Sequence, residues 1–227
     1  MEKVIILLHR PNGFDPDDFR DRLLDTAESL IDDGTARLRI CVDDHAVAAA
    51  ASFRIIESEP VYDAMVSFWL NSTRDLESGL ERLNQQDAGC YAYLVTESEP
   101  LVYDMAEGER TSGMNQVVTL KTPKRLSYEE WLGLWLDQHT QLAIDIQSTF
   151  GYRQNVVVRH LKDGQPDYAA IVEENFPAAA MSSRKVFYNA EGDEALYQQR
   201  EQQMMESTIR FVDFDEINCI PMSEYNF

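Results

Sequence analysis

The sequence predicts an α+β fold in which one βαββαβ unit occurs twice, in residues 1–112 and again in residues 113–227. Two observations favour this prediction. The same order of strands and helices can be read in each half, and the halves align residue by residue where they begin. Residues 4–11 match residues 116–123 at a constant offset, and the match continues into the following helix. We interpret this as an internal duplication.

In the first half, strands are predicted where apolar residues run or alternate, and helices where a cap precedes an apolar stripe. Asp15 is a helix cap, Pro16 suits the first helical position, and Phe19 opens the stripe. The predicted order is strand 4–8, a helix from Asp15, strand 36–42, strand 62–70, helix 73–83 and strand 91–95.

The second half follows a polar stretch with two glycines, residues 107–113, which predicts a linker. Ser127 and Glu130 have the spacing of a capping box, which begins a helix. The predicted order is strand 117–120, a helix from Ser127, strand 152–159, strand 168–173, helices 178–188 and 193–206, and a last strand 209–213.

Each unit of this order forms a four-stranded antiparallel sheet with its helices on one face, the ferredoxin-like arrangement. The bare faces of two such sheets can cover each other. We therefore expect the chain to build an intramolecular α/β barrel with an apolar interior, as a self-contained pseudo-dimer. A further homodimer is left open.

Composition and charge narrow the function classes. The apolar fraction is 44%, and no apolar run approaches the ~18 residues of a membrane span. Forty acidic residues against 20 basic ones give a formal charge of −20, which disfavours binding to nucleic acid and to anionic membranes. Cys41, Cys90 and Cys219 lack paired spacing, so neither disulfides nor a zinc site is predicted. The start does not resemble a secretory signal, and we expect a cytoplasmic protein.

The candidate site lies on the helix that Ser127 caps. Trp131, Trp135 and His139 follow at steps of four, which places them on one helical face. His139 is then a titratable ring within an apolar stripe, suited to act as an acid or base. The alternative is a core histidine bonded to a backbone carbonyl.

Four further residues are candidates around His139. Tyr152 and Asn155 are three apart on a strand, so they point to opposite faces. We expect Tyr152 near the pocket and Asn155 as polar support for a turn or helix end. Trp135 and Phe211 are candidates for the pocket wall, although packing alone would also explain them.

No metal or cofactor is predicted. Asp43, Asp44 and His45 are interpreted as a solvated turn at a strand end. The sequence has no glycine-rich phosphate loop and no nucleophile elbow.

Residues 114–214 resemble the EthD-like group of the dimeric α/β-barrel superfamily. The resemblance rests on Trp131-x3-Trp135-x3-His139, on Tyr152-x2-Asn155 at the next strand, and on Glu206 followed by Phe211-Val212-Asp213. The sequence departs from the pattern at Thr140, because relatives commonly have proline soon after the histidine. The first half resembles the group only in architecture, since Ala27 occupies the place of His139.

The resemblance implies a hydrophobic, often aromatic or polyketide-like ligand held between sheet and helices. Members of the superfamily include cyclases, decarboxylases, dehydratases and cofactor-free oxygenases, whereas EthD itself is an accessory protein of ether degradation. Two hypotheses follow. One is a cofactor-independent enzyme of lyase, isomerase or cyclase type, with a hydrophobic carbonyl or aromatic substrate and His139 moving a proton. The other is an accessory or ligand-binding protein without turnover.

Overall fold

The computed structural model describes residues 1–32, 35–59, 61–76, 89–104 and 107–227, which form an α+β structure. Strands in these residues join in one nine-stranded antiparallel sheet. They are β1 (Glu2–Leu8), β2 (Ala36–Val42), β3 (Ile55–Ile56), β4 (Ala64–Leu70), β5 (Cys90–Leu101), β6 (Met114–Leu120), β7 (Gly151–His160), β8 (Ala170–Phe176) and β9 (Asn218–Asn226).

The helices lie between the strands in chain order. They are α1 (Pro16–Asp32), α2 (Tyr128–Leu132), the π-helix π1 (Gly133–His139), α3 (Thr140–Ile146), α4 (Arg184–Phe187) and α5 (Glu194–Thr208). Short 3-10 helices span His45–Phe53, Thr73–Asp75, Ala178–Ser182 and Phe214–Glu216. Among the described residues, no helix is long and apolar enough to cross a bilayer.

The strand order is the same in each half of the chain. Hydrogen-bonded neighbours run β2-β4-β1-β5 in the first half and β7-β8-β6-β9 in the second. β5 pairs with β7, and β9 pairs with β2. The hydrogen-bonded pairing therefore runs from β2 through eight strands and returns to β2.

Three apolar clusters account for most of the core, and they alternate across the sheet because successive strand residues face opposite sides. We call the sheet face that the helices cover the outer face, and the opposite one the inner face. The outer face of the first half packs against α1 through Phe19, Leu23 and Leu30. The outer face of the second half packs against the helix that contains Trp131 and Trp135. A third cluster joins the inner faces of both halves.

The expectation of an apolar interior is wrong for one end of the inner face. There Lys3 Nζ donates to Asn155 Oδ1 at 2.7 Å, and Asn155 Nδ2 donates to Glu173 Oε1 at 3.0 Å. Arg39 Nη1 reaches Glu173 Oε2 at 3.2 Å, and Arg153 Nη1 lies 3.6 Å from the same oxygen. A buried charge is tolerated only when it is paired and hydrogen-bonded, and this network pairs each of them.

Burial alone would raise the pKa of Glu173, but Arg39, Lys3 and Arg153 lower it to about 2. Glu173 is therefore an anion over the physiological pH range. Its partners come from strands far apart in sequence, which is why the sequence pattern did not predict the network.

The predicted last strand, 209–213, is also wrong. Residues Phe211 and Val212 both donate backbone hydrogen bonds to the Thr208 carbonyl, so this segment continues the end of α5 as turns. Its apolar side chains pack into the second cluster without forming a strand. The last strand is β9, whose polar residues and Pro221 concealed its inward alternation of Ile220 and Met222. The predicted helix 73–83 is described only over Thr73–Asp75, and its remainder lies largely outside the described residues.

Candidate functional site

A cavity of about 240 Å³ lies between the outer face of the second half's sheet and the helices, and Ser52, Phe53 and Ile55 of the first half also contribute to its wall. π1 and α5 contribute to its wall on the helix side, and β6, β7, β8 and β9 contribute on the sheet side. Its wall includes Gln116, Trp135, His139, Tyr152, Glu174 and Phe211.

A capping box begins the helix that carries the histidine. Ser127 Oγ accepts a hydrogen bond from the Glu130 N–H at 3.3 Å, and Glu130 Oε2 accepts one from the Ser127 N–H at 3.0 Å. This confirms the helix start that the spacing predicts.

The helix then changes from α to π geometry. The N–H of Thr140 bonds to the carbonyl of Trp135, five residues earlier, and the Thr140 hydroxyl donates to the same carbonyl at 3.0 Å. π segments within α-helices occur frequently at functional sites. Here the π segment ends at His139, on the cavity wall.

His139 is 6% exposed and is held by two contacts. Its Nδ1 lies 3.0 Å from Ser207 Oγ on α5, and its ring centroid lies 4.6 Å from that of Phe211. Burial lowers the pKa of His139 to about 4, so the imidazole is neutral at pH 7. The hydrogen bond described for this ring therefore goes to a side-chain hydroxyl and not to a backbone carbonyl.

Glu174 is the site residue that the sequence analysis missed. It lies on β8, opposite Tyr152 on β7 and opposite Gln116 on β6. Burial raises the pKa of Glu174 to about 7, against a smaller lowering by a hydrogen bond with Tyr152. The sequence pattern that could have indicated it is the alternation of Ala170, Val172 and Glu174 along one strand, which places a carboxylate on an apolar face. The predicted strand 168–173 ended one residue before Glu174.

The Tyr152 side chain links the sheet to the helix. Its hydroxyl lies near the side chains of Glu174, Trp135 and Thr140, and burial raises the pKa of Tyr152 far above its usual range. Gln154 Nε2 donates to Thr140 Oγ1 at 2.6 Å, which anchors the same turn of the helix. Tyr152 is therefore a fixed, protonated partner of Glu174.

Four of the five predicted site residues meet at this cavity, namely Trp135, His139, Tyr152 and Phe211. Asn155 does not join them. It is fully buried on the inner face of the sheet, where it bonds to Lys3, Glu173 and the Ile171 carbonyl. The expectation that Asn155 supports a turn or helix end is wrong, although it does face away from Tyr152 as the strand period requires.

Elsewhere in the described residues, one group of side chains has metal-ligand spacing, Asp15, Asp17 and His45, and it includes exposed residues. His45 Nδ1 lies 3.1 Å from Asp17 Oδ2. The solvated-turn interpretation is wrong for Asp44, which is buried and caps the 3-10 helix by accepting from the Ala46 N–H at 3.1 Å.

Comparison with known proteins identifies the fold. No family model matches the sequence, and no curated protein matches it. An anthrone oxidase-like protein of known structure superposes with a TM-score of 0.56 at 10% identity, over 99% of this chain and 93% of that one. A candidate monooxygenase from Lactobacillus acidophilus gives 0.51 at 9% identity, over 98% and 93%. A candidate chlorite dismutase gives 0.50 at 14% identity, over 98% and 95%.

The chain has a dimeric α/β-barrel type of fold. This agrees with the fold that the sequence resemblance implies, whereas membership of the superfamily stays a prediction. None of these comparisons supports the narrower EthD-like assignment, which stays a prediction. At these identities the likeness shows the fold and does not carry a reaction.

Proposed function

We propose that this protein is a small cofactor-independent enzyme that moves a proton on a hydrophobic carbonyl or aromatic compound bound in the cavity. The reaction would be of lyase, isomerase or cyclase type, with His139 as an acid or base. The observation that carries the proposal is that one apolar cavity is lined both by a neutral imidazole on the helix side and by a carboxyl group on the sheet side.

The two groups suit complementary roles. A neutral His139 can accept a proton from a ligand C–H through Nε2. Glu174, with a pKa of about 7, can give a proton to a ligand oxygen and recover it at neutral pH. Pairs of titratable groups whose environments separate their pKa values are typical of acid and base partners. Trp135 and Phe211 supply flat apolar surface for a ring.

Anthrone, named in the description of one structural relative, is a suitable first probe. It is a tricyclic ketone whose methylene hydrogens, opposite the carbonyl, exchange through the enol. In D2O buffer without oxygen, the protein should speed the exchange of these hydrogens, followed by proton NMR. His139→Ala should lower the catalysed rate by about 10²- to 10⁴-fold, the usual contribution of a positioned acid or base.

His160→Ala is the matched control, because His160 lies on β7 outside the cavity lining and should leave the rate unchanged. Exchange that survives in His139→Ala would contradict the role of His139. Binding of anthrone without any exchange would favour the accessory or ligand-binding alternative.

We also infer that the two halves are copies of one ferredoxin-like unit that together form an intramolecular barrel. The shared strand order and the return of the pairing to β2 support this. The register of two arginines supports it further. Arg39 of β2 pairs with Ser67, the fourth residue of β4, and Arg153 of β7 pairs with Glu173, the fourth residue of β8. Four-stranded sheets that failed to superpose would contradict the inference.

A further inference from the structure

We propose that Gln116 and Glu174 together bind an oxygen of an uncharged ligand, so that the cavity selects phenols and ketones over hydrocarbons and carboxylates of the same shape. This rests on the proposed function, because it names the ligand class of the same cavity.

The first step is geometric. Gln116 and Glu174 are directly opposite each other on the paired strands β6 and β8, and both side chains line the cavity. Directly opposed residues on one face of an antiparallel pair have Cβ atoms about 5 Å apart. A single oxygen placed over this pair can therefore contact both groups.

The second step is that no hydrogen bond of the Gln116 side chain occurs among the described residues, although the residue is only 6% exposed. Its amide is not among their fully enclosed unpartnered polar groups, so it is open to the cavity. Glu174, in contrast, bonds with Tyr152 on its other side. Buried polar groups in folded proteins nearly always have a protein or water partner, so this amide has hydrogen-bonding capacity left for a ligand. The amide can both donate and accept, which suits a hydroxyl as well as a carbonyl.

The third step concerns charge. Among the described residues that line the cavity, Arg184 is the one Lys or Arg side chain. Its Nε lies 3.2 Å from Glu201 Oε1, and its guanidinium lies 5.7 Å from the centroid of the Phe53 ring. An anionic ligand would therefore meet a cation that is already paired, beside a carboxyl group and within a strongly acidic protein. Carboxylates should be rejected.

The test uses three compounds of one shape, naphthalene, 2-naphthol and 2-naphthoate, with affinities measured by isothermal titration at pH 6. For the wild-type protein, 2-naphthol should bind about tenfold more tightly than naphthalene, the value of about one net hydrogen bond. 2-Naphthoate should bind more weakly than naphthalene. Gln116→Leu should remove the preference for 2-naphthol and leave the affinity for naphthalene unchanged.

Gln198→Leu is the matched control, since Gln198 is exposed on α5 outside the cavity lining and should not alter the ratio of the two affinities. Gln116→Met provides a second variant if the leucine variant folds poorly. Equal binding of naphthalene and 2-naphthol by the wild-type protein, or tightest binding of 2-naphthoate, would overturn this inference and leave the cavity as a ligand site. Failure of all three to bind would overturn the aromatic ligand of the proposed function as well.

Discussion

The two halves of the chain cover the outer faces of their sheets in different ways. In the first half, α1 packs through Phe19 and Leu23 against strand residues that are almost all apolar and fully buried. In the second half, the equivalent layer contains tryptophans on the helix but leaves a cavity of about 240 Å³ beside them. The strand order is the same in both.

The difference therefore lies in a few side chains. Phe68 is the fifth residue of β4, and Glu174 is the fifth residue of β8. Ala27 of α1 takes the place that the constant offset gives to His139. The first layer has the apolar residues Phe68 and Ala27 at these two positions. The second layer has Glu174 and His139, whose side chains can gain or lose a proton. A shared framework thus produces either packing or a site.

The largest expected effect contrasts two phenylalanines. Phe68→Ala should lower the free energy of unfolding by about 3–5 kcal/mol, because it opens a void in a filled layer. Phe211→Ala should lower it by about 2 kcal/mol, because the ring borders the cavity and has fewer partner atoms there. Urea denaturation of both variants measures the difference. Equal losses would show that the second layer is as well filled as the first.

A second effect is the pH dependence that Glu174 gives to stability. The folded state raises the pKa of Glu174 from 4.5 to about 7, so it holds this proton more tightly than the unfolded chain does. Its contribution is complete below pH 4.5 and is lost as the pH rises through 7, by about 3 kcal/mol in total. Glu174→Gln should remove this loss.

Urea midpoints at pH 5 and pH 9 test this, with Glu129→Gln on the exposed side of α2 as the control for losing one carboxylate. The ionisable side chains that line the cavity with Glu174 are Tyr152, Tyr188, His139 and Arg184, together with Cys219, whose pKa burial raises to about 12. They are present in both proteins, so the difference between wild type and variant isolates Glu174. Identical pH profiles would place this carboxyl group in contact with water.

The smallest effect exchanges the residues at the helix position that distinguishes the halves. Ala27→His should destabilise the protein by about 2 kcal/mol, because Ala27 is buried in an apolar cluster that a larger polar ring would overpack. His139→Ala should cost about 1 kcal/mol, mainly through loss of the hydrogen bond with Ser207. Thermal unfolding of the two variants provides the comparison, and a harmless Ala27→His would reveal unused space beside α1.

Much of the fold could be predicted from the sequence, because strand and helix periods and the cap at Ser127 are local signals. The stripe that leads to His139 was predictable for the same reason. The π geometry was not, since it depends on which carbonyl the Thr140 N–H selects within the packed structure. β9 was missed because its inward residues alternate with Pro221 and polar side chains.

The site was predictable only on its helix side. Glu174 gains its significance from burial and from neighbours on two other strands, which no single segment of sequence shows. Asn155 illustrates the same limit, because its partner Lys3 lies 152 residues away along the chain. Strand period correctly separated Asn155 from Tyr152, but it could not show that the hidden side was ionic.

Glu173 and Glu174 are consecutive residues of β8, so their side chains point to opposite faces of the sheet. Glu173 is paired with three cations and stays ionised. Glu174 faces the cavity, and its carboxyl group can gain or lose a proton near neutral pH. Two chemically identical side chains thus differ in protonation because they lie on opposite faces of one strand. Insertion or deletion of one residue in β8 would exchange these two environments and abolish both at once.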